Sequence, residues 1–250
     1  LFISDLHLCG ARPAITQLFL DFLRQRARNA KALYILGDLF EYWIGDEAAE
    51  QSEFRPIIQG LRELTAGGTP VYILYGNRDF LMGQTFEKLT GCQLLADPTL
   101  LDLYGVPTLL MHGDSLCIDD SKYMDFRRQV RDPAWQKNFL SKPVAERDAI
   151  ARNIREISKN SAADKKPEIM DVNQQAVASI MRQHQVHHLI HGHTHRPREH
   201  VFELDGQTAR RIVLGDWYEQ GSVLRVNADG WVLESLPLAG VKQSDKLRKV

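Results

Sequence analysis

Apolar positions in this 250-residue chain gather into short unbroken runs, and each run stops at a polar cluster. LFIS (1–4) stops at Asp5, and ALYIL (32–36) stops at Gly37-Asp38. PVYILY (70–75) leads into Gly76-Asn77-Arg78-Asp79, and VPTLLM (106–111) into His112-Gly113-Asp114. VHHLI (186–190) leads into HGHTH at 191–195. Unbroken apolar runs of this length predict strands covered on both faces. Between them, ITQLFLDFLRQRA (15–27) places Ile15, Leu18, Phe19, Phe22 and Leu23 on one helical face, and FRPIIQGLREL (54–64) predicts a second helix. Strands alternating with amphipathic helices predict an α/β fold. Beyond residue 198 the chain alternates apolar and polar residues and turns at Asp205-Gly206 and Asp229-Gly230. These are hairpin signals, and the antiparallel strands are expected to complete a second sheet.

One segment breaks the rhythm. From Lys122 to Lys166 there is no strand pattern, and the segment holds twelve Lys/Arg against six Asp/Glu. An excess of six positive charges stands out in a chain whose formal net charge is -1. Ile150, Ile154 and Ile157 are spaced to share a helical face. The expected organisation is a core of residues 1–121 and 167–240, a helical insertion at 122–166 standing over the strand ends, and a frayed tail at 241–250. Apolar residues interleaved with cations suit a cover for acyl chains near phosphate and a membrane surface.

The remaining composition narrows the class. With 44% hydrophobic and 25% charged residues the chain has the balance of a soluble globular protein. Near-neutral charge and no aromatic stacking platform argue against nucleic acid, and no protein partner is inferred. Cys9, Cys92 and Cys117 are odd in number and far apart, which predicts reduced cytosolic thiols. No apolar run reaches the length of a membrane span. Leu1 falls inside a strand-like run with no secretory leader ahead of it, and a few native residues are expected to precede it.

In open α/β sheets, ligand sites form beyond the carboxyl ends of the strands, so the five polar clusters should meet at one edge. Asp5 and His7, two residues apart, can leave an extended backbone on the same side and chelate one cation. Asp38 has two carboxylate oxygens and can bridge two cations. Asn77 offers an amide oxygen, and His112, His193 and His195 offer ring nitrogens. Mixed nitrogen and oxygen donors suit Mn²⁺, Fe²⁺ or Zn²⁺ better than Mg²⁺ or Ca²⁺. Asp79 and Asp114 are expected to orient neighbours or cap turns, His191 to be buried, and Trp43 and Trp217 to pack.

The ordered set D-x-H, G-D, G-N-R-D, H-G-D and G-H-T-H resembles the calcineurin-like metallophosphoesterases. The resemblance implies a two-sheet α/β sandwich flanked by helices, with a di-metal site at one edge. It implies that Asp5, His7, Asp38 and His195 hold one metal, and Asp38, Asn77, His112 and His193 the other. GNRDF, HGDSLCIDD, IMDVNQ and HGHTHRP further resemble one branch, the UDP-2,3-diacylglucosamine pyrophosphatases of lipid A biosynthesis. That branch implies two Mn²⁺, a helical lid, and hydrolysis of a UDP-linked diacylated glucosamine to UMP and the 1-phosphate glycolipid. It implies a catalytic set of Asp38, Asn77, Arg78, His112 and His193. Substrate contacts would come from Arg78, Asp120, Ser158, Ala162 and Lys165, with Asn77 and His193 serving both roles. Ala162 stands at a lid position that is often polar in the branch. The expected location is cytoplasmic, peripheral to the cytosolic face of the inner membrane.

Many members of the superfamily carry histidine after the asparagine, where it can protonate a departing alkoxide. Arg78 stays protonated near neutral pH and cannot do this, but it can grip phosphate oxygens. A phosphate leaving from a pyrophosphate needs no such proton, so Arg78 favours P–O–P cleavage. Alternatives are a nucleotide pyrophosphatase, a cyclic-nucleotide phosphodiesterase or, more distantly, a non-catalytic scaffold.

Overall fold

The computed structural model describes residues 1–163, 169, 171–238 and 248–249. The chain opens with β1 (Phe2–Ile3), α1 (Pro13–Gln25), β2 (Leu33–Ile35), α2 (Arg55–Ala66), β3 (Val71–Leu74), α3 (Gln84–Thr90) and β4 (Gln93–Leu95). β1 to β4 lie side by side in that order, all parallel. The chain then passes through β5 (Thr99–Asp102) and β6 (Pro107–Met111) into three consecutive helices. These are α4 (Ser121–Val130), α5 (Pro133–Leu140) and α6 (Val144–Ala163). α7 (Gln174–Gln183) and β7 (His188–His191) return it to the sheet, with β7 parallel to β6. Two hairpins follow, β8 (Arg198–Leu204) with β9 (Gln207–Val213), and β10 (Gln220–Asn227) with β11 (Gly230–Pro237). Arg248–Lys249 form β12, paired with Leu233 and Val232. The rest of the expected frayed tail lies outside the described residues.

The strands make two sheets, a seven-stranded one in the order β12-β11-β10-β1-β2-β3-β4 and a five-stranded one in the order β5-β6-β7-β9-β8. The expected two-sheet α/β sandwich is therefore present. One expectation is corrected: the hairpins do not complete a single sheet, because each joins a different one. β9 lies parallel to β7, whereas β10 lies antiparallel to β1. The crossover is short. The Leu214 amide donates to the His191 carbonyl at 2.8 Å, and the Trp217 amide donates to the Asp5 carbonyl at 3.0 Å. Local alternation cannot reveal which neighbour a hairpin will choose.

Three apolar layers follow from this arrangement. Phe2, Leu36, Leu74, Leu110, Ile190, Ile212 and Leu224 fill the space between the sheets. Phe19, Phe22, Leu23, Ile57 and Leu61, from α1 and α2, cover the outer face of the seven-stranded sheet together with Trp43 and Trp217. Val177 and Met181 of α7 cover the five-stranded sheet. Because strands β1, β2, β3 and β6 are covered on both faces, their sequences are largely apolar, and β7 is apolar at its centre, Leu189 and Ile190. Their carboxyl ends carry the polar loops.

Candidate active site

Five of the seven expected ligands have left-handed backbone: Asp5 (φ 57°), His7 (50°), Asp38 (52°), His193 (67°) and His195 (55°). The described chain has only eight such non-glycine residues, so the strain is concentrated at this edge. The bend lets consecutive side chains turn back over the strand ends. Two glycines allow the loops to approach. A Cβ on Gly76 would clash with Asp38 Oδ1, and one on Gly192 would clash with Ser4 Oγ.

The loops bring all seven donors together. His195 Nε2 lies 3.3 Å from Asp5 Oδ1 and 3.2 Å from His7 Nε2. Asn77 Oδ1 lies 3.0 Å from both His112 Nε2 and His193 Nδ1. Asp38 sits between the two groups, with Oδ2 3.9 Å from His7 Nδ1 and Oδ1 3.8 Å from His112 Nε2. A cation bonded to its ligands at about 2.1 Å holds adjacent donors roughly 3 Å apart, so the residues fit two cations. Asp5 Oδ1 is buried with no hydrogen-bond partner, as an atom reserved for a cation would be. Asp5, Asp38 and His112 also approach one another closely enough to form a ligand group. Asp5, His7 and His195 form a second such group.

A second layer of contacts orients the ligands. His112 Nδ1 donates to the Leu36 carbonyl at 2.8 Å, which leaves Nε2 turned toward Asn77 and Asp38. Asp216 Oδ2 lies 3.4 Å from His195 Nδ1 and plays the same part for that ring. The Asp5 carboxylate accepts from the His193 amide at 2.9 Å. Buried Asp79 accepts from the amides of Gly76 (2.8 Å), Leu39 (2.7 Å) and Asp38 (3.3 Å), tying two loops together. Asp114 accepts from Tyr123 Oη and Arg127 Nε, both at 2.7 Å. Both aspartates thus orient neighbours, as expected. His191 is fully buried against Arg211, and Trp43 and Trp217 are packing residues.

The electrostatics are those of a cation site. Burial alone would lower His195 and His112, but carboxylates outweigh it. Asp5 and Asp216 raise His195 to about 10, and Asp38, Asp114 and Asp5 raise His112 to about 9. Burial would likewise raise Asp5, yet His195, His112 and His7 hold it well below the usual carboxylate range. Asp38, with burial dominant, is pushed up to about 7. Burial, reinforced by His112, lowers His193 to about 4. The buried carboxylates hold these two rings toward the protonated form, a demand for positive charge that a divalent cation could also meet.

The calcineurin-like phosphoesterase family profile matches residues 1–197. The chain belongs to the calcineurin-like phosphoesterases. It is also 52% identical over 240 residues to the UDP-2,3-diacylglucosamine hydrolase of Pseudomonas aeruginosa (strain UCBPP-PA14), covering 95% of this chain and 99% of that one. It is 50% identical over 245 residues to the enzyme so named in Xanthomonas campestris pv. campestris (strain B100), again with 95% and 99% coverage.

Beside the ligands, the phosphoesterase has a cavity of about 370 Å³ beneath α4–α6. Asn77, Arg78 and Ser158 line it, together with Trp43, Phe80, Phe126, Trp135, Phe139 and Ile154. Asp120 caps α4, its carboxylate accepting from the Tyr123 amide at 3.1 Å. Lys165 lies outside the described residues, as does the side chain of Ala162. Of the three isoleucines expected on one face, Ile154 and Ile157 line the cavity while Ile150 packs against the main core. Motif reading missed Asp216 and Glu41. The repeat of Leu36-Gly37-Asp38 as Leu214-Gly215-Asp216 could have marked the first; nothing local marks the second.

Proposed function

We propose that this phosphoesterase hydrolyses the pyrophosphate of UDP-2,3-diacylglucosamine to UMP and 2,3-diacylglucosamine 1-phosphate, with two Mn²⁺ at the seven-donor site. The observation that carries the reading is an apolar cavity whose polar end is made by Asn77 and Arg78, next to the ligands. A substrate with a charged pyrophosphate and greasy chains needs that adjacency. The substrate named in the relatives supports the same choice. A nucleotide pyrophosphatase or cyclic-nucleotide phosphodiesterase would have no use for the apolar end.

A divalent pair supplies Lewis-acid charge and an acidified water. The chain's own residues supply the remainder. Arg78 has a side chain only 14% exposed and lies 3.5 Å from Asp38, so its guanidinium can clamp phosphate oxygens at the metal edge. It carries its charge throughout and transfers no proton, which suits a phosphate leaving group. Helices α4–α6 act as a lid, excluding water and sheltering acyl carbons against Phe126, Trp135 and Ile154. Asp120, Ser158, Ala162 and Lys165 would complete the headgroup contacts. Among the described residues no helix is long and apolar enough to cross a membrane. The reading is an enzyme docked peripherally on the cytosolic face of the inner membrane, taking its lipid through the lid.

Phosphorus NMR of the products formed in ¹⁸O-water tests the reaction. We expect UMP and the 1-phosphate lipid, with the label in UMP. Equal turnover of the deacylated UDP-sugar would defeat the lipid assignment.

A further inference from the structure

Glu41, three residues after Asp38, receives three arginines from three parts of the chain. Its Oε1 accepts from Arg78 NH1 at 2.5 Å and from Arg155 Nε of α6 at 3.0 Å. Its Oε2 accepts from Arg12 NH2 at 3.3 Å and lies 3.9 Å from His7 Nδ1. All four side chains are between 14% and 24% exposed, so solvent screens these contacts only partly. Even with Asp38, 3.5 Å from Arg78, counted beside Glu41, three guanidiniums face two carboxylates in the place where a pyrophosphate would arrive. Burial and the neighbouring Arg78 charge lower Arg155, and Glu41 opposes them. Without the carboxylate, Arg78 and Arg155 would repel each other across the cavity mouth.

We infer that Glu41 is a positioning residue: it aims the Arg78 guanidinium at the scissile phosphate and latches the lid helix to the metal edge through Arg155. The latch does not act alone. Tyr42 Oη donates to Asp148 at 2.9 Å, and Arg147 NH1 donates to the Ile44 carbonyl at 2.5 Å, so the loop after β2 lies along α6. Those contacts keep the helix in place, and Glu41 links that placement to the reacting phosphate. Acyl packing and chemistry are thereby coupled through the Glu41 side chain.

The inference rests on the function proposed above for the identity of the substrate, and its test is built to survive an error there. Glu41→Gln keeps the shape and removes the charge. Metal-loaded Glu41→Gln should keep wild-type metal content and melting temperature, while kcat falls about 10–100-fold. KM should stay within about threefold, and inorganic phosphate should inhibit more tightly, because three arginines lose their internal anion. In an Arg78→Lys background the same change should add no more than about threefold, since the group it positions is already altered. Glu41→Asp, one methylene shorter, should recover part of kcat, and it serves for the cycle if Glu41→Gln does not fold. An unchanged kcat, an equal loss in both backgrounds, or a loss that tracks metal content would each overturn the inference. The cycle is run on UDP-diacylglucosamine and on bis(p-nitrophenyl) phosphate. If the wild type cleaves only the soluble diester, the substrate reading fails, and the cycle on that diester still decides the role of Glu41.

Discussion

The metal edge and the helical cover meet at Arg78, yet they are built on different principles. At the metal edge every position is set by short range: left-handed backbone, glycine contacts, and donors 3.0–3.9 Å apart. Under α4–α6 the grip is broad, made of apolar side chains whose exact outline matters little. Ile157 is 60% exposed there, whereas Asp5, His7 and His112 are 0%. A one-atom change should be ruinous at the first region and graded at the second. On the function proposed above, chemistry would belong to the tightly set loops and selection to the more tolerant helices.

The sharpest break of that contrast is Asp38→Ala. It removes the one carboxylate placed between both ligand groups, so turnover should fall more than about 1,000-fold with loss of bound metal. Elemental analysis and steady-state rates on the folded variant check this, and near wild-type activity would refute the two-cation assignment. Next in size is Arg78→Lys, which keeps charge but loses the planar fork. Its kcat/KM should drop about 10–100-fold, and Arg78→His should not restore pyrophosphate cleavage. On the cover side, Ile154→Asp should reduce the kcat/KM ratio of acylated to soluble substrate by about tenfold and leave metal content alone. An unchanged ratio would make the helices a structural cap only.

The smallest expected effect is one of pH on the metal-free protein. His112 and His195 are raised to about 9 and 10, and Asp38 to about 7. A raised group stabilises the fold fully below its unfolded value and loses that contribution as pH rises through its folded value. Melting temperature without metal should therefore fall by a few degrees from about pH 7 to pH 10. Saturating metal should flatten the trend, since cations replace those protons. A metal-free melting temperature that rises over this range would show that the histidines are not held as counter-ions.

Much of this was legible because each chemical residue sits where an apolar run ends. Asp5, Asp38, Asn77, His112 and His193 all follow buried strands, and the change from apolar to polar marks both the element and the site. α3, β4 and β5 were not anticipated; they are short, and QLL or TLLD carries little periodicity. Which sheet each C-terminal hairpin would join is a matter of long-range pairing, invisible in local alternation. Ile150 has the same helical phase as Ile154 but turns to the core, because α6 has neighbours on more than one side. Glu41 illustrates the deeper gap. Its partners lie 29, 37 and 114 residues away, and only folding reveals that they converge.

The expected ligands come from both layers of the sandwich: Asp5, His7, Asp38 and Asn77 follow strands of the seven-stranded sheet, and His112, His193 and His195 follow strands of the five-stranded one. Between the layers the buried contact is largely apolar, while polar links such as His112 Nδ1 to the Leu36 carbonyl and the His193 amide to Asp5 lie at the catalytic edge. Cations bonded to both layers would act as rivets at that same edge. The catalytic edge would then become the stiff end of the sandwich, and the opposite end would be left to breathe.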